Sequence, residues 1–184
     1  SPRQVLDWLV ENQFVRAEKV AEFRDPARYP EAHAVAKALI TRGLLTPYQA
    51  NQVLQGRGAE LLFGDTRLME RVGEGAMGQV FKAWDKKFDR VVAVKVIHKD
   101  HVASGKAMSR FHKEIEAASK LDHPNIVLLR YADEKDGRPY MVMDFIDGID
   151  LSRLVKTKGP LPIEAACEYV RQAALGLHHA FARG

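Results

Sequence analysis

A glycine-rich segment near the middle of the chain restricts the fold more than any other feature of the sequence. Gly73, Gly75 and Gly78 are followed by Val80, which fits the pattern G-x-G-x-x-G-x-V. Glycines at this spacing let backbone N–H groups approach phosphate oxygens without interference from side chains. The same spacing also arises by chance in roughly 6% of chains of this length, so its surroundings must support it.

The residues after the third glycine distinguish two kinds of phosphate-binding fold. A dinucleotide-binding fold begins a helix at the third glycine, and the N-terminus of that helix receives the pyrophosphate. Here residues 79–84 are rich in β-forming types and lead into a turn. The sequence therefore predicts a β-hairpin with the glycines at its bend, and it disfavours a dinucleotide-binding fold.

Five short β-rich runs and two helices are predicted from residue 62 onward. The short connections between the first three strands favour antiparallel pairing. A last helix begins near Pro162 and carries an apolar stripe from Ile163 to Phe181. The predicted strands cover residues 66–72, 79–84, 91–97, 126–131 and 140–145, and the other helix covers residues 106–121.

A lysine interrupts the apolar third strand. Lys95 lies on the same face as Ala93, because alternate residues of a strand face the same way. Edge strands often carry such a lysine to discourage aggregation, so alone it is ambiguous. Glu114, however, lies in the apolar register of the helix that follows. A glycine hairpin, a strand lysine and a helix glutamate in this order form a specific assembly.

With these features the chain resembles the protein kinase family, in particular the bacterial kinases of the eukaryotic Ser/Thr type. The resemblance covers about residues 62–184 and leaves residues 1–60 uncovered. It implies an α+β fold in which a five-stranded antiparallel sheet and one αC-type helix form the kinase N-lobe. The matching motifs occur in the family's order, at residues 73–80, 93–95, 111–114, 123–127 and 140–145.

The chain is expected to divide into three parts, the first from its own residue pattern and the other two from the resemblance. Residues 1–60 form a small all-helical leader or interaction segment, with a linker at 55–58 and no apparent internal repeat. Pro2 opens a short first helix that carries Val5 to Val10, a second helix covers residues 29–41, and a third covers residues 47–54 with Thr46 as its N-cap and Pro47 at its first position. Residues 61–147 form the ATP-binding N-lobe. Residues 148–184 form the hinge exit and the first helices of an incomplete C-lobe.

Catalytic roles fall on two residues. Lys95 is similar to the strand lysine that contacts the α- and β-phosphates of ATP, and Glu114 to the helix glutamate that positions it by a charge-assisted bond. A fixed cation suits a transition state that spreads negative charge over phosphate oxygens. Glu116 is expected to face elsewhere and to be solvated.

The remaining ATP contacts follow from the same resemblance. Apolar residues sandwich the adenine ring, a methionine is the gatekeeper, hinge backbone pairs with the adenine edge and an acidic residue contacts the ribose. In that order these residues are Val72, Val80 and Ala93; Met143; Asp144 and Ile146; and Asp150. The loop adds Gly73, Glu74, Gly75, Ala76, Met77 and Gly78. The alternative for the apolar members is an ordinary place in the core.

The family's catalytic base and metal ligands do not occur in residues 1–184. The base is an Asp in a His-Arg-Asp loop, and Mg²⁺ is held by an Asn of that loop and by the Asp of Asp-Phe-Gly. Asp144 and Phe145 are followed by Ile146 rather than by glycine. We therefore expect a fragment that is inactive alone, from a parent kinase that transfers the γ-phosphate of ATP to protein hydroxyls. The ligands of Mg²⁺ are expected beyond residue 184.

Two other functions remain open. The chain could belong to a pseudokinase or signalling scaffold that binds nucleotide without phosphotransfer, and the residues beyond 184 would distinguish this from an active enzyme. Alternatively, residues 1–60 could be an independent module that binds a protein partner.

Composition and residue spacing argue against several classes of protein and kinds of site. The net charge of +4 over 184 residues gives no case for a nucleic-acid-binding protein. No apolar run reaches the roughly 18 residues of a transmembrane helix, and the single Cys167 excludes an internal disulfide. The histidines lack zinc-site spacing, so no metal site is expected. We expect a cytoplasmic protein whose partners are ATP and a protein substrate, with a downstream membrane anchor of the parent left open.

Overall fold

The computed structural model describes residues 1–76, 78–102 and 105–183. These residues form two compact units. The first comprises Ser1–Gly75 and Gln79–Val91, and the second comprises the described residues of Ala76–Gly78 and Val92–Gly184. The division at residues 60 and 147 remains a prediction about domains.

Helices open the first unit. Thr46 caps the fourth helix as predicted, its hydroxyl accepting from the N–H of Gln49 at 3.1 Å, and Pro47 occupies the first helical position. The third helix begins at Ala32 rather than at residue 29, because the residue before Pro30 is disfavoured in a helical conformation. The helices are α1 (Pro2–Glu11), α2 (Ala17–Val20), α3 (Ala32–Thr41) and α4 (Pro47–Leu54), with 3₁₀ segments at Ala21–Arg24 and Gly58–Leu61.

These helices contain an internal repeat with an offset of 30 residues, so the expectation of no repeat is wrong. The turn after α1 has Gln13 at φ 58°, and the turn after α3 has Gly43 at φ 66°. In each turn the next residue donates its N–H back to a buried leucine carbonyl, from Phe14 to Leu9 and from Leu44 to Leu39. Different residue types occupy most equivalent positions, which hides the repeat in the sequence.

The predicted linker at 55–58 is exposed over its first three residues and packed at its last. Gly58 is buried, and a Cβ built there would lie 2.6 Å from the indole of Trp8. Leu61 is also fully buried. The chain then enters β1 (Leu62–Phe63), β2 (Thr66–Glu74) and β3 (Gly78–Asp85), and both β1 and β3 pair antiparallel with β2.

In the second unit β6 lies between β4 and β5, and both pairings are antiparallel. The strand predicted at 126–131 is wrong in position, because Asp136 and Gly137 both have positive φ and make a two-residue hairpin turn that sets the register. The helix predicted at 106–121 and the one from Pro162 are confirmed to within two residues. The elements are β4 (Arg90–Ile97), α5 (Lys99–Val102), α6 (Gly105–Ser119), β5 (Leu129–Lys135), β6 (Arg138–Asp144), α7 (Leu151–Lys158) and α8 (Ile163–Ala182).

Candidate active site

Helix α6 is fixed to one face of β4 and β6 by apolar packing. Phe111 is fully buried and belongs to one core cluster with Ile97 and Met141, which Ala107 completes. Ile115, one turn after Phe111, packs against the edge of the cluster. Burying a side chain of this size stabilises the contact by about 1.5–3 kcal/mol, so the helix has a defined position on the sheet.

The lysine and glutamate singled out in the sequence meet on this face. Lys95 lies two residues before Ile97 and therefore points to the side that α6 covers. Its Nζ lies 2.5 Å from Oε1 of Glu114. The side chains remain 23% and 38% exposed, respectively, so the ammonium is held in place but stays accessible to an anion. Glu116 is exposed, in agreement with its predicted solvation. It pairs with Lys120 at 3.1 Å on the solvent side of the helix.

Two of the predicted adenine contacts are also neighbours. Ala93 and Met143 are register partners on β4 and β6, next to the pair of Lys95 and Met141. Side chains directly opposite each other in an antiparallel ladder share a face. Met143 packs against the core cluster and is half-buried. The structure thus brings Ala93, Met143 and Lys95 together on one face.

The last residue of β6 and the segment that follows it make two interactions that were not predicted. Asp144, chosen for its backbone carbonyl, also holds Arg130 by two bonds of 2.6 and 2.8 Å from Nε and Nη2. The Asp144 carboxylate raises the pKa of Arg130 above its ordinary value. Asp150 is the N-cap of α7, where its carboxylate accepts from the N–H of Arg153 at 2.8 Å. An acidic residue before a helix was a visible signal for this cap.

The predicted adenine contacts Val72 and Val80 lie on the two strands of the glycine-rich hairpin, β2 and β3. Gly73 pairs with Val80 across β2 and β3, and Val72 is the extra residue of a β-bulge between Arg71 and Gly73. The Val72 side chain is 49% exposed. A bulge locally turns the strand and re-aims side chains, so Val72 is displayed at the surface rather than packed in the core.

The loop glycines differ in what surrounds them. A Cβ on Gly75 would meet nothing within 4 Å, whereas a Cβ on Gly78 would lie 2.2 Å from the carbonyl oxygen of Val96. The third glycine is therefore required by the close approach of its backbone to β4, and its assignment to phosphate binding remains a prediction. Glu74 pairs with Arg71 at 2.6 Å, Ala76 is exposed, and the predicted residue Met77 lies outside the described residues.

Neither a metal cluster nor a spanning helix occurs in the described part of the chain. The rings of His123 and His179 lie 5.1 Å apart, but no group of three or more His, Cys, Asp or Glu side chains there could hold a metal ion. None of the helices described combines the length and hydropathy that crossing a bilayer demands.

The mixed fold, with an antiparallel sheet and a helix whose glutamate pairs with a strand lysine, defines a kinase-like domain. The protein kinase domain family matches residues 66–184, and the chain belongs to this family. The crystal structure of the Mycobacterium tuberculosis PknI kinase domain is similar, with a TM-score of 0.58 and 30% identity over 67% of this chain and 50% of that one. The likeness confirms the predicted N-lobe fold.

Curated relatives are bacterial serine/threonine-protein kinases. PrkC of Bacillus subtilis is 33% identical over 117 residues, which are 64% of this chain and 18% of PrkC. PknE of Mycobacterium bovis is 34% identical over 122 residues, which are 66% of this chain and 22% of PknE. The chain therefore spans about a fifth of the length of these relatives.

Proposed function

We propose that the protein containing this chain is a serine/threonine kinase and that residues from 62 onward supply its ATP-binding part. The observation that carries the proposal is the ion pair of 2.5 Å between Lys95 and Glu114. A lysine held by a carboxylate yet partly exposed suits the binding of an anionic ligand better than a free surface lysine, because less side-chain freedom is lost on binding.

The reaction would transfer the γ-phosphoryl group of ATP to a Ser or Thr hydroxyl of a protein. A bond forms between the hydroxyl oxygen and the γ-phosphorus, and the bond from that phosphorus to the β,γ-bridging oxygen breaks, so that ADP leaves with the electron pair of that bond. The hydroxyl proton would pass to the family's catalytic base, which we infer to lie outside residues 1–184. Lys95 would hold the α- and β-phosphates, so that its positive charge offsets the negative charge on the leaving side. Neither a His-Arg-Asp nor an Asp-Phe-Gly triplet occurs in the sequence of residues 1–184, so the base and the Mg²⁺ ligands are not expected among them. We infer that other residues supply them and that residues 1–184 alone do not transfer phosphate.

The adenine would lie against the face that carries Ala93 and Met143. The ladder of β6 ends at Asp144, so the backbone at Ile146 lies beyond the sheet, and it would pair with the adenine edge. One oxygen of Asp150 accepts from Arg153, and a carboxylate has further lone pairs for a ribose hydroxyl. Because ATP is a cytoplasmic substrate, we place this domain in the cytoplasm.

Replacement of the lysine in the full-length protein tests the proposal. Lys95→Met should abolish transfer of labelled phosphate from ATP while leaving the melting temperature nearly unchanged, since an ion pair that stays partly exposed to solvent contributes little to stability. Lys120→Met is the matched control, because Lys120 also pairs with a glutamate of α6 but on the solvated side. Retained transfer by Lys95→Met, or equal loss in both variants, would overturn the role of Lys95.

A further inference from the structure

The helical leader and the glycine-rich hairpin belong to the same compact unit. The ring of Tyr48 in α4 lies 5.8 Å from that of Phe81 in β3. Arg67 of β2 donates from Nε to the carbonyl of Asn12 at 3.3 Å, and desolvation lowers its pKa below the ordinary value. The leader is therefore packed against β2 and β3, which is not what an independent arm would do.

Strand β2 has a β-bulge where the leader packs against it. Leu68 pairs with Ala83 and Glu70 pairs with Lys82, so Met69 is an extra residue without a partner in the ladder. A bulge of this kind bends its strand and leaves backbone groups that the neighbouring strand does not satisfy. Buried carbonyls in that position need donors from elsewhere.

Two side chains at the start of α4 supply those donors. The hydroxyl of Thr46 donates to the carbonyl of Met69, and Nε2 of Gln49 donates to the carbonyl of Leu68 at 2.9 Å. The same two residues also cap α4, since Oε1 of Gln49 accepts from the N–H of Thr46 at 3.0 Å. Each side chain thus joins the helix terminus to the bulge.

The bulge lies just before the predicted nucleotide contacts. Met69 precedes the second bulge residue, Val72, by three positions, and Gly73 follows at once. Because both bulges lie on one strand, the first sets the direction in which the second and the loop are presented. The course of β2 into the hairpin is therefore tied to the leader.

We propose that Thr46 and Gln49 are positioning residues for nucleotide binding: they hold the bulge at Met69 and so fix the course of β2 into the glycine-rich hairpin. This inference rests on the proposed ATP-binding function. The repeat-equivalent positions, Arg16 and Lys19, are exposed, so the first copy of the repeat does not duplicate this contact. The role belongs to the second copy alone.

Variants that keep the cap and remove the donor provide the test in the full-length protein. Thr46→Asp and Gln49→Glu retain an oxygen for the capping bond but cannot donate to β2. Losing one such hydrogen bond should raise the KM for ATP and the nucleotide Kd about 5-fold, with kcat at saturating ATP unchanged. Thr46→Ser keeps the donor and should restore the wild-type KM.

A destabilised control separates positioning from loss of stability. Val35 is fully buried in the leader, so Val35→Ala should lower the melting temperature without changing the KM for ATP. An equal rise in KM in Val35→Ala and Thr46→Asp at the same melting temperature would overturn the inference, as would wild-type KM and Kd in both donor variants. Wild-type protein that fails to bind ATP would instead refute the proposed function.

Hydrogen exchange on the wild-type protein tests the inference even if the variants fail to fold. Coupling between two sites is reciprocal, so saturation with ATP should slow amide hydrogen exchange at the N-terminus of α4, where the N–H of Gln49 is bonded to Thr46. Unchanged exchange at Gln49 in nucleotide-saturated protein would contradict the inference.

Discussion

The second and third glycines of the glycine-rich segment should respond differently to the same substitution. In Gly78→Ala the new methyl would lie 2.2 Å from the carbonyl oxygen of Val96 and 3.1 Å from Cα of Ile97. Ordinary contact begins near 3.4 Å, so backbone must move by about 1.2 Å. Overpacking costs about 1–3 kcal/mol, and since the obstacle is backbone we expect about 3 kcal/mol. For a chain of this size that lowers the melting temperature by roughly 6–12 °C.

Gly75→Ala is the matched substitution at the open position. Its methyl meets no protein atom within 4 Å, so we expect a stability change within about 0.5 kcal/mol. The methyl would nevertheless occupy space through which phosphate oxygens approach the backbone, and it should weaken ATP binding. Thermal unfolding with and without ATP measures both effects. Equal melting temperatures for the two variants would refute the close approach at Gly78, and wild-type ATP affinity in Gly75→Ala would refute the phosphate contact.

Three further predictions address other parts of the second unit. Glu114→Gln should weaken ATP binding, whereas Glu116→Gln on the solvated side of α6 should not; equal effects in a binding titration would contradict the pairing. Phe181 is 88% exposed on the apolar stripe of α8, so Phe181→Ser should reduce self-association of the 184-residue chain in sedimentation, and unchanged association would count against that surface. Hydrogen bonds from Arg171 lower the pKa of Glu168 to about 2, so its stabilising contribution is present above the ordinary carboxyl pKa and is lost as pH falls through about 2. An NMR titration should show this value, and Arg171→Gln should return it toward the ordinary range.

The parts of the fold that sequence patterns predict well are those whose signal is local. The apolar stripe of Phe111 and Ile115 predicts both the helix and the face on which it packs, and with it the side on which Glu114 meets Lys95. The sequence Asp136-Gly137 is typical of a hairpin turn. Because the turn contains only these two residues, β5 runs up to Lys135 and lies several residues later than the predicted strand at 126–131.

The features that escaped the sequence depend on distant partners. The capping role of Thr46 can be read from the residues beside it, but its bond to Met69 requires knowledge of where β2 bulges. Likewise Gly78 matches a loop motif, while the carbonyl that excludes a side chain there belongs to Val96 on another strand. The repeat is hidden because a glutamine adopts the left-handed conformation for which glycine is the usual signal.

A crystal structure of the full-length protein with a non-hydrolysable ATP analogue and Mg²⁺ tests the central claim most directly. We predict that Nζ of Lys95 lies within hydrogen-bond distance of an α- or β-phosphate oxygen while Glu114 still holds it. A nucleotide bound elsewhere, with Lys95 and Glu114 in contact only with each other, would contradict the proposed role of the pair.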